Sequence, residues 1–309
     1  MKSRKIKLKF SPFLFILGVI LAVYALSVIM SVYWAIISSL KSQWDFETIA
    51  SGGEGNFLFG LPTLGEDYGW RFDHYIDVFL ITISDGSYTF NVAAMFLNSV
   101  IYSVGCALFN VLANMLVAYA ISTFKFKFSN FLYRLILICM VLPIVGTEAS
   151  ALDVTNRLGV YNNMFGMFLL KGGFIGMYTL IVYEAFAAVP RSFIEAAEID
   201  GASNLRIFLS IAIPMVKNVL ATVFLLYFIQ YWNDYQTPLL FMPSKFTLAY
   251  GIYLCANFPV IKPSTEIADV TGSPFKLTIA MVLTLPILTA FVFFNKRIMG
   301  NVSLGGIKE

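Results

Sequence analysis

The chain has 309 residues, of which 59% are hydrophobic, 16% aromatic and only 13% charged; that apolar share and that scarcity of charge exclude an ordinary soluble domain. The net charge of +3 comes without any Lys/Arg cluster interleaved with aromatics, which argues against nucleic acid as a partner. The single histidine, His74, excludes His-based triads and multi-His metal sites.

The elements follow in chain order. Residues 1–12 form a basic N-terminus carrying Lys2, Arg4, Lys5, Lys7 and Lys9. No charge occurs from Phe10 to Leu40, a run longer than the roughly 20 residues that a bilayer core demands, so 13–40 is expected to be transmembrane helix one. The basic start superficially resembles a secretory signal. The apolar run is roughly two to three times too long for one, and no small-x-small cleavage site follows, so the expectation is that it stays as a helix. Residues 41–92 form an acidic, Gly- and aromatic-rich loop, with Asp45, Glu47, Glu54, Glu66, Asp67, Asp73, Asp77 and Asp85 against Lys41 and Arg71. Within it, Tyr75–Ile83 is a candidate short helix at the membrane surface.

The core is expected over 93–295. A second uncharged run spans Gly86 to Phe124, and Leu277 to Asn295 is a further clean span. Apolar stretches around 131–152, 167–189 and 217–240 are interrupted by Glu148, Lys171, Glu184 and Asp234. Charges at membrane depth are expensive, so Glu148, Glu184 and Asp234 should face protein or a watery cavity. Helix three carries Pro143, and Pro238 is expected to break or bend helix five. The economical reading is an all-α membrane protein with six transmembrane helices and a tail at 296–309.

The distribution of Lys and Arg tests that count. With the N-terminus inside, Lys2, Arg4, Lys5, Lys7, Lys9, Lys125, Lys127, Arg134, Arg191, Arg206, Lys217, Lys296, Arg297 and Lys308 fall on the cytoplasmic side, 14 of the 21 basic residues. The other seven (21 − 14) are Lys41, Arg71, Arg157, Lys171, Lys245, Lys262 and Lys276. Both termini are therefore assigned to the cytoplasm. Cys106 and Cys139 fall in spans and Cys255 in an outer segment, so no disulfide framework is expected.

Between two of the apolar segments lies a polar loop, 190–216, flanked by Arg191, Arg206 and Lys217. Glu195, Ala196 and Ala197 favour helix, and Gly201 suits the left-handed stop that ends one. Ser203 can cap a second helical piece whose apolar face is Ile207, Phe208 and Ile211, before Pro214 closes the segment. The pattern Glu195-Ala196-Ala197, three residues, Gly201, nine residues, Ile211, one residue, Ile213, Pro214 resembles the signature loop of binding-protein-dependent ABC importer permeases; it departs at Ile213, where Leu is preferred. Asn98-Ser99, Ala118-Tyr119-Ala120, Leu142-Pro143, Leu158-Gly159, Asp200-Gly201-Ala202, Trp232-Asn233-Asp234 with Pro238-Leu239, and the tail Gly300 with Gly305-Gly306-Ile307-Lys308 resemble the carbohydrate branch, the smaller maltose-type permease. The similarity runs from about residue 90 onward.

The resemblance implies an inner-membrane permease of a bacterium or archaeon, paired with a sister permease and two cytoplasmic ATPase subunits and fed by an extracytoplasmic solute-binding protein. The short helix around 195–201 would sit in a groove on the ATPase. Glu195 would make a charge-assisted contact there, Ala196 and Ala197 would allow close approach, and Asp200, Gly201 and Pro214 would shape the loop. No Gly-x-x-x-x-Gly-Lys-[Ser/Thr] phosphate loop occurs, so the chain is read as a non-catalytic permease without cofactor or metal, its energy supplied by partners. Trp232, Asn233, Asp234 and Tyr235 are the candidate substrate pathway, since a sugar offers hydroxyl edges to Asn and Asp and apolar faces to Trp and Tyr. An interfacial aromatic cluster is the competing reading. The same machinery carrying a glycerol phosphodiester or a peptide is the nearest alternative; a stand-alone channel or carrier and a glycosyl-transferring membrane enzyme are more distant.

Overall fold

A computed structural model describes residues 12–50, 59–63, 69–124, 128–142, 146–258, 261–262 and 272–302. The basic N-terminal residues, Lys125, Lys127, Pro143, Glu54, Glu66, Asp67 and the tail residues Gly305 to Lys308 lie outside them. The chain divides into two compact units, one drawn from Met1–Leu80 with Pro263–Val282, the other from Ile81–Lys262 with Leu283–Glu309.

The first unit contains α1 (Pro12–Ser39), α2 (Gln43–Ala50) and α3 (His74–Asp77). Most of α1 is exposed and apolar; its last turn, Ile37 to Ser39, is buried. Two side chains meet the Ser39 carbonyl: Thr278 Oγ1 donates to it at 3.0 Å, and His74 Nδ1 lies 3.3 Å away. The His74 ring also meets Phe275 edge-on at 5.5 Å. Asp45 accepts from Thr63 Oγ1 at 3.0 Å and from its backbone N–H at 3.3 Å, tying α2 to the following loop. The expected helix over Tyr75–Ile83 is only partly present. It ends at Asp77, because Thr82 and Ile83 are β-formers that enter a ladder instead.

That ladder belongs to the second unit. Strands β1 (Thr82–Ser84), β2 (Thr89–Asn91) and β3 (Ile261–Lys262) form an antiparallel sheet in the order β2-β1-β3. Asn91 then caps α4 (Val92–Thr123), accepting the Ala94 N–H at 2.7 Å. At 32 residues, α4 is about 48 Å long and forms the spine of the unit. It is followed by α5 (Ser129–Val141), α6 (Glu148–Arg157), α7 (Met164–Lys171), α8 (Met177–Ala187), α9 (Arg191–Ile199), α10 (Asn204–Ile207), a π-helical turn at Phe208–Ala212, α11 (Ile213–Trp232), α12 (Gln236–Phe241) and α13 (Leu248–Asn257). The last helix, α14 (Ser273–Val302), begins in the first unit and ends in the second, so residues 296–302 of the expected tail are helical.

Among the described residues three helices have the length and hydropathy to cross a bilayer: Pro12–Ser39, Val92–Thr123 and the continuous stretch Asn204–Trp232. Three shorter apolar helices, Ser129–Val141, Met177–Ala187 and Ser273–Thr289, fall on the other expected segments. The middle segments are less continuous than the hydropathy suggests. The stretch 131–152 stops at Val141, since Leu142 takes extended backbone (ψ 122°) ahead of Pro143. The stretch 167–189 breaks between Lys171 and Met177, where Gly172, Gly173 and Gly176 lower the cost of leaving the helix.

The core lies where α4 meets α8 and α11. Tyr102, Cys106, Met115, Ala118, Tyr119, Phe186, Phe208, Val216, Val223 and Tyr227 all belong to it. Close approach of α7 needs Gly105, since a Cβ there would overlap the Phe168 ring. Three polar bonds cross this apolar interior. Asn110 Nδ2 donates to Tyr231 Oη at 2.9 Å, Asn114 Nδ2 donates to Tyr227 Oη at 2.8 Å, and Thr179 Oγ1 donates to Asn114 Oδ1 at 2.8 Å. The rungs run in opposite senses along α4 and α11, so they fix the register of an antiparallel pair.

Candidate functional site

Helix α9 carries Glu195, Ala196 and Ala197, and none of its residues is buried. Pro190 starts it and Gly201 stops it. The Ala202 N–H reaches the Ala197 carbonyl at 2.9 Å and the Gly201 N–H the Glu198 carbonyl at 3.0 Å, the paired bonds of a Schellman motif. Gly201 supplies the left-handed φ of +76° that this motif requires. Ser203 caps α10, its Oγ accepting the Arg206 N–H at 3.4 Å. The loop therefore reverses the chain through two defined caps.

Pro214 does not close a separate hairpin. The helix runs on from Asn204 to Trp232, 29 residues or about 43 Å. Pro214 has no N–H to give and its ring crowds the carbonyl four residues back; the π turn at Phe208–Ala212 immediately before α11 accommodates both. Ile207 and Phe208 are buried on the unit side, while Phe193, Ile199, Leu205 and Leu209 are exposed. Glu195 is exposed, and no ion pair involves it among the described residues. Together with Arg191 and Glu198 it lines a cavity of about 750 Å³ whose other walls include Ser122, Thr123 and Tyr183. Glu184 is exposed and is not paired with Arg191.

At the far end of the same helix the four residues of the expected pathway separate. Trp232 is fully buried; its indole Nε1 donates to the Leu283 carbonyl at 3.0 Å and its ring meets Phe96 at 5.8 Å. It packs as a core residue here, apart from the other three members of the expected pathway. Asn233 is exposed and turns its Nδ2 back to the Ile229 carbonyl at 2.9 Å. That bond, with the Asp234 break, ends α11 ahead of Pro238, which instead occupies the first turn of α12, where a missing N–H costs nothing.

Asp234 and Tyr235 remain together. Asp234 accepts from Tyr102 Oη at 2.9 Å and from the Thr237 N–H at 3.0 Å, so the carboxylate is held between α4 and α12. Tyr235 stacks on Tyr253 of α13, with centroids 4.6 Å apart and planes 14° from parallel. Both acid and ring pair line a cavity of about 840 Å³, whose wall also includes Glu148, Lys171, Gln230 and Gln236. Tyr253, Lys171 and the two glutamines were not legible as site residues. Gln230 and Gln236 flank the expected cluster in sequence, whereas Lys171 and Tyr253 come from α7 and α13, and no sequence spacing links those two to it.

Asn98 and Ser99 hold the segment that leads into α13. Asn98 Nδ2 donates to the Phe246 carbonyl at 3.0 Å, and Ser99 Oγ accepts the Leu248 N–H at 2.7 Å. Asn162, with a left-handed φ of 56°, receives Ser244 Oγ on its Oδ1 at 2.7 Å, and its N–H reaches the Phe241 carbonyl at 2.8 Å. These anchors fix α12 and α13 around Tyr235 and Tyr253.

Comparison with known proteins places this geometry among its relatives. Residues 115–300 match the family described as "Binding-protein-dependent transport system inner membrane component". The chain is 27% identical over 290 residues to the diacetylchitobiose uptake system permease protein NgcG of Streptomyces coelicolor, covering 93% of this chain and 86% of that one. It is 34% identical over 211 residues to the sn-glycerol-3-phosphate transport system permease protein UgpE of Shigella flexneri, covering 67% and 72%. The crystal structure of a bacterial ABC transporter involved in the import of the acidic polysaccharide alginate contains a chain with the same fold, at a TM-score of 0.71, 20% identity, and 93% and 98% coverage.

Proposed function

Because the chain belongs to the family of binding-protein-dependent transport system inner membrane components, we propose that it is the permease subunit through which an ATP-driven importer passes a sugar or oligosaccharide. It works beside a sister permease, above two cytoplasmic ATPase subunits, and receives solute from an extracytoplasmic binding protein. Both termini and the Glu195 loop lie in the cytoplasm, a reading supported by the 14 basic residues that the six-span topology collects on that side.

The carrying observation is the continuity of the Asn204–Trp232 helix between the exposed Glu195 loop and the cavity at Asp234. ATP binding closes the ATPase pair, and α9 seats in a groove on the ATPase, with Glu195 against a partner Arg or Lys, Ala196 and Ala197 allowing close approach, and Asp200 and Gly201 holding the reversal. A displacement of α9 is passed through the Schellman-stopped loop to α10, the Pro214 turn and α11 as one rod. Asn110 and Asn114 hold α4 to that rod by Tyr231 and Tyr227, so the two helices rock as a rigid pair. Asp234 and Tyr235, at the rod's far end, meet the solute.

The sugar is favoured over a non-sugar solute because the relative named for diacetylchitobiose uptake aligns over 93% of the chain, whereas the 34% identity to the permease named for sn-glycerol-3-phosphate, a phosphomonoester, extends over 67%. The test is purification of the assembled complex, with the co-eluting subunits identified and solute-stimulated ATP hydrolysis measured. A Glu195→Lys, Gly201→Pro double variant is expected to insert normally but to lose the ATPase or its coupling. Normal ATP-dependent uptake by that variant would overturn the reading.

A further inference from the structure

The cavity behind Asp234 contains more chemistry than one acid and one ring. The Tyr235 and Tyr253 rings lie nearly parallel, and both half-buried residues line the wall. An apolar platform of that kind suits the C–H face of a pyranose. Gln230 and Gln236 add amide groups able both to donate to and to accept from hydroxyls, and Asp234 holds two oxygens pinned by Tyr102 and Thr237.

The charge of the wall is unbalanced. Its ionisable members with formal charge are Glu148 and Asp234 against Lys171, an excess of one negative charge (2 − 1), and no ion pair joins Lys171 to either acid among the described residues. In a cleft with low-dielectric walls such an excess repels a phosphate or carboxylate and draws in a cation.

We infer that this cavity is a saccharide subsite selective for neutral or amino sugars and closed to phosphorylated or carboxylated ones, with the Tyr235–Tyr253 stack as its platform and Glu148 as its charge filter. The inference rests on the importer reading for its function, but its physical content is a property of this chain. Lys171 serves as a donor to sugar hydroxyls, and among the described residues lining the cavity no second cation stands beside it to make an anion site. Glu148, exposed on the cavity wall, takes no part in the core and can be changed without disturbing it.

The test uses the purified complex carrying Leu240→Cys, an exposed position on the same wall, with the half-buried Cys139 replaced by Ser and the buried Cys106 and Cys255 left in place. Labelling rates are measured with a cationic and an anionic methanethiosulfonate, each normalised to its rate with a free thiol. The cationic reagent is expected to be favoured by at least about fivefold, and Glu148→Gln is expected to remove the preference. Maltose, cellobiose, lactose and chitobiose are then tried as protectants beside glycerol 3-phosphate. At least one disaccharide should slow labelling, and Tyr253→Ala should abolish that protection while Tyr253→Phe retains it. An equal or reversed reagent preference, protection by glycerol 3-phosphate alone, or protection by no sugar would overturn the inference. None of these outcomes alters which subunits co-elute, so failure of the subsite is separable from failure of the importer reading.

Discussion

Asn110 and Tyr231 face each other across the α4–α11 contact with a buried 2.9 Å hydrogen bond, and both amide hydrogens of Asn110 are used, the second by the Cys106 carbonyl. One turn along, Asn114 and Tyr227 repeat the arrangement. Tyr231→Phe leaves the amide short of one partner and is expected to destabilise the protein by about 0.6–2 kcal/mol. Asn110→Leu alone should cost a comparable amount. The double variant should cost less than their sum, by thermal or denaturant unfolding in detergent, because the pair is then removed together. Strict additivity would show that the bond contributes nothing to the register.

Trp232 and Tyr235 are three residues apart and should respond oppositely. Trp232→Phe removes the bond to the Leu283 carbonyl and part of a filled core, so a stability loss of about 2 kcal/mol is expected with solute affinity unchanged. Tyr235→Ala should leave stability nearly intact and weaken solute-stimulated ATP hydrolysis. Reduced affinity in Trp232→Phe without reduced stability would contradict this division.

The distinction between those two neighbours marks where the sequence stops being informative. The Ser203 cap and the Gly201 stop are local chemistry, decided within a few residues, and each is found where the pattern predicts it. Asn110 and Asn114, four apart in an uncharged run, are a readable signal of a buried polar stripe. The burial of Trp232 depends on which way a helix end faces, and its partner there, the Leu283 carbonyl of α14, lies 51 residues later in the chain. The Tyr235–Tyr253 pair and the wall of Lys171 and Glu148 arise from packing of separate elements, and no spacing encodes them. The breaks after Val141 and Lys171 were written in Pro143 and in Gly172, Gly173 and Gly176, but hydropathy alone averages over them.

Gly201 offers a clean conformational test. A Cβ there would meet nothing within 4 Å, so Gly201→Ala adds no clash and costs only the left-handed backbone, about 1–2 kcal/mol. Faster hydrogen exchange at the α9 amides is the expected readout, together with weaker coupling of ATP hydrolysis to solute. Gly201→Asn, which tolerates this region better, should fall between the two. Wild-type exchange in Gly201→Ala would mean the Schellman stop is not what holds α9.

His74 links the first unit to pH. Burial is the main cause that holds its imidazole below the ordinary value of 6.5, opposed by the Ser39 carbonyl and the nearby Asp73 and Asp77 and reinforced by Arg71. The unfolded chain therefore takes up a proton before the folded one does. The stability contribution is complete above about pH 6.5 and is lost as pH falls below that value. Thermal unfolding followed from neutral to mildly acidic pH should show this slope, and His74→Phe, which keeps an aromatic beside Phe275, should flatten it.

The most direct test is a photo-activated cross-linker placed at position 195 in the assembled complex. The account predicts one dominant adduct with the nucleotide-hydrolysing subunit, with a yield that changes between the ATP-bound and nucleotide-free states. Cross-linking only to lipid or to nothing, in a complex that still imports solute, would contradict it.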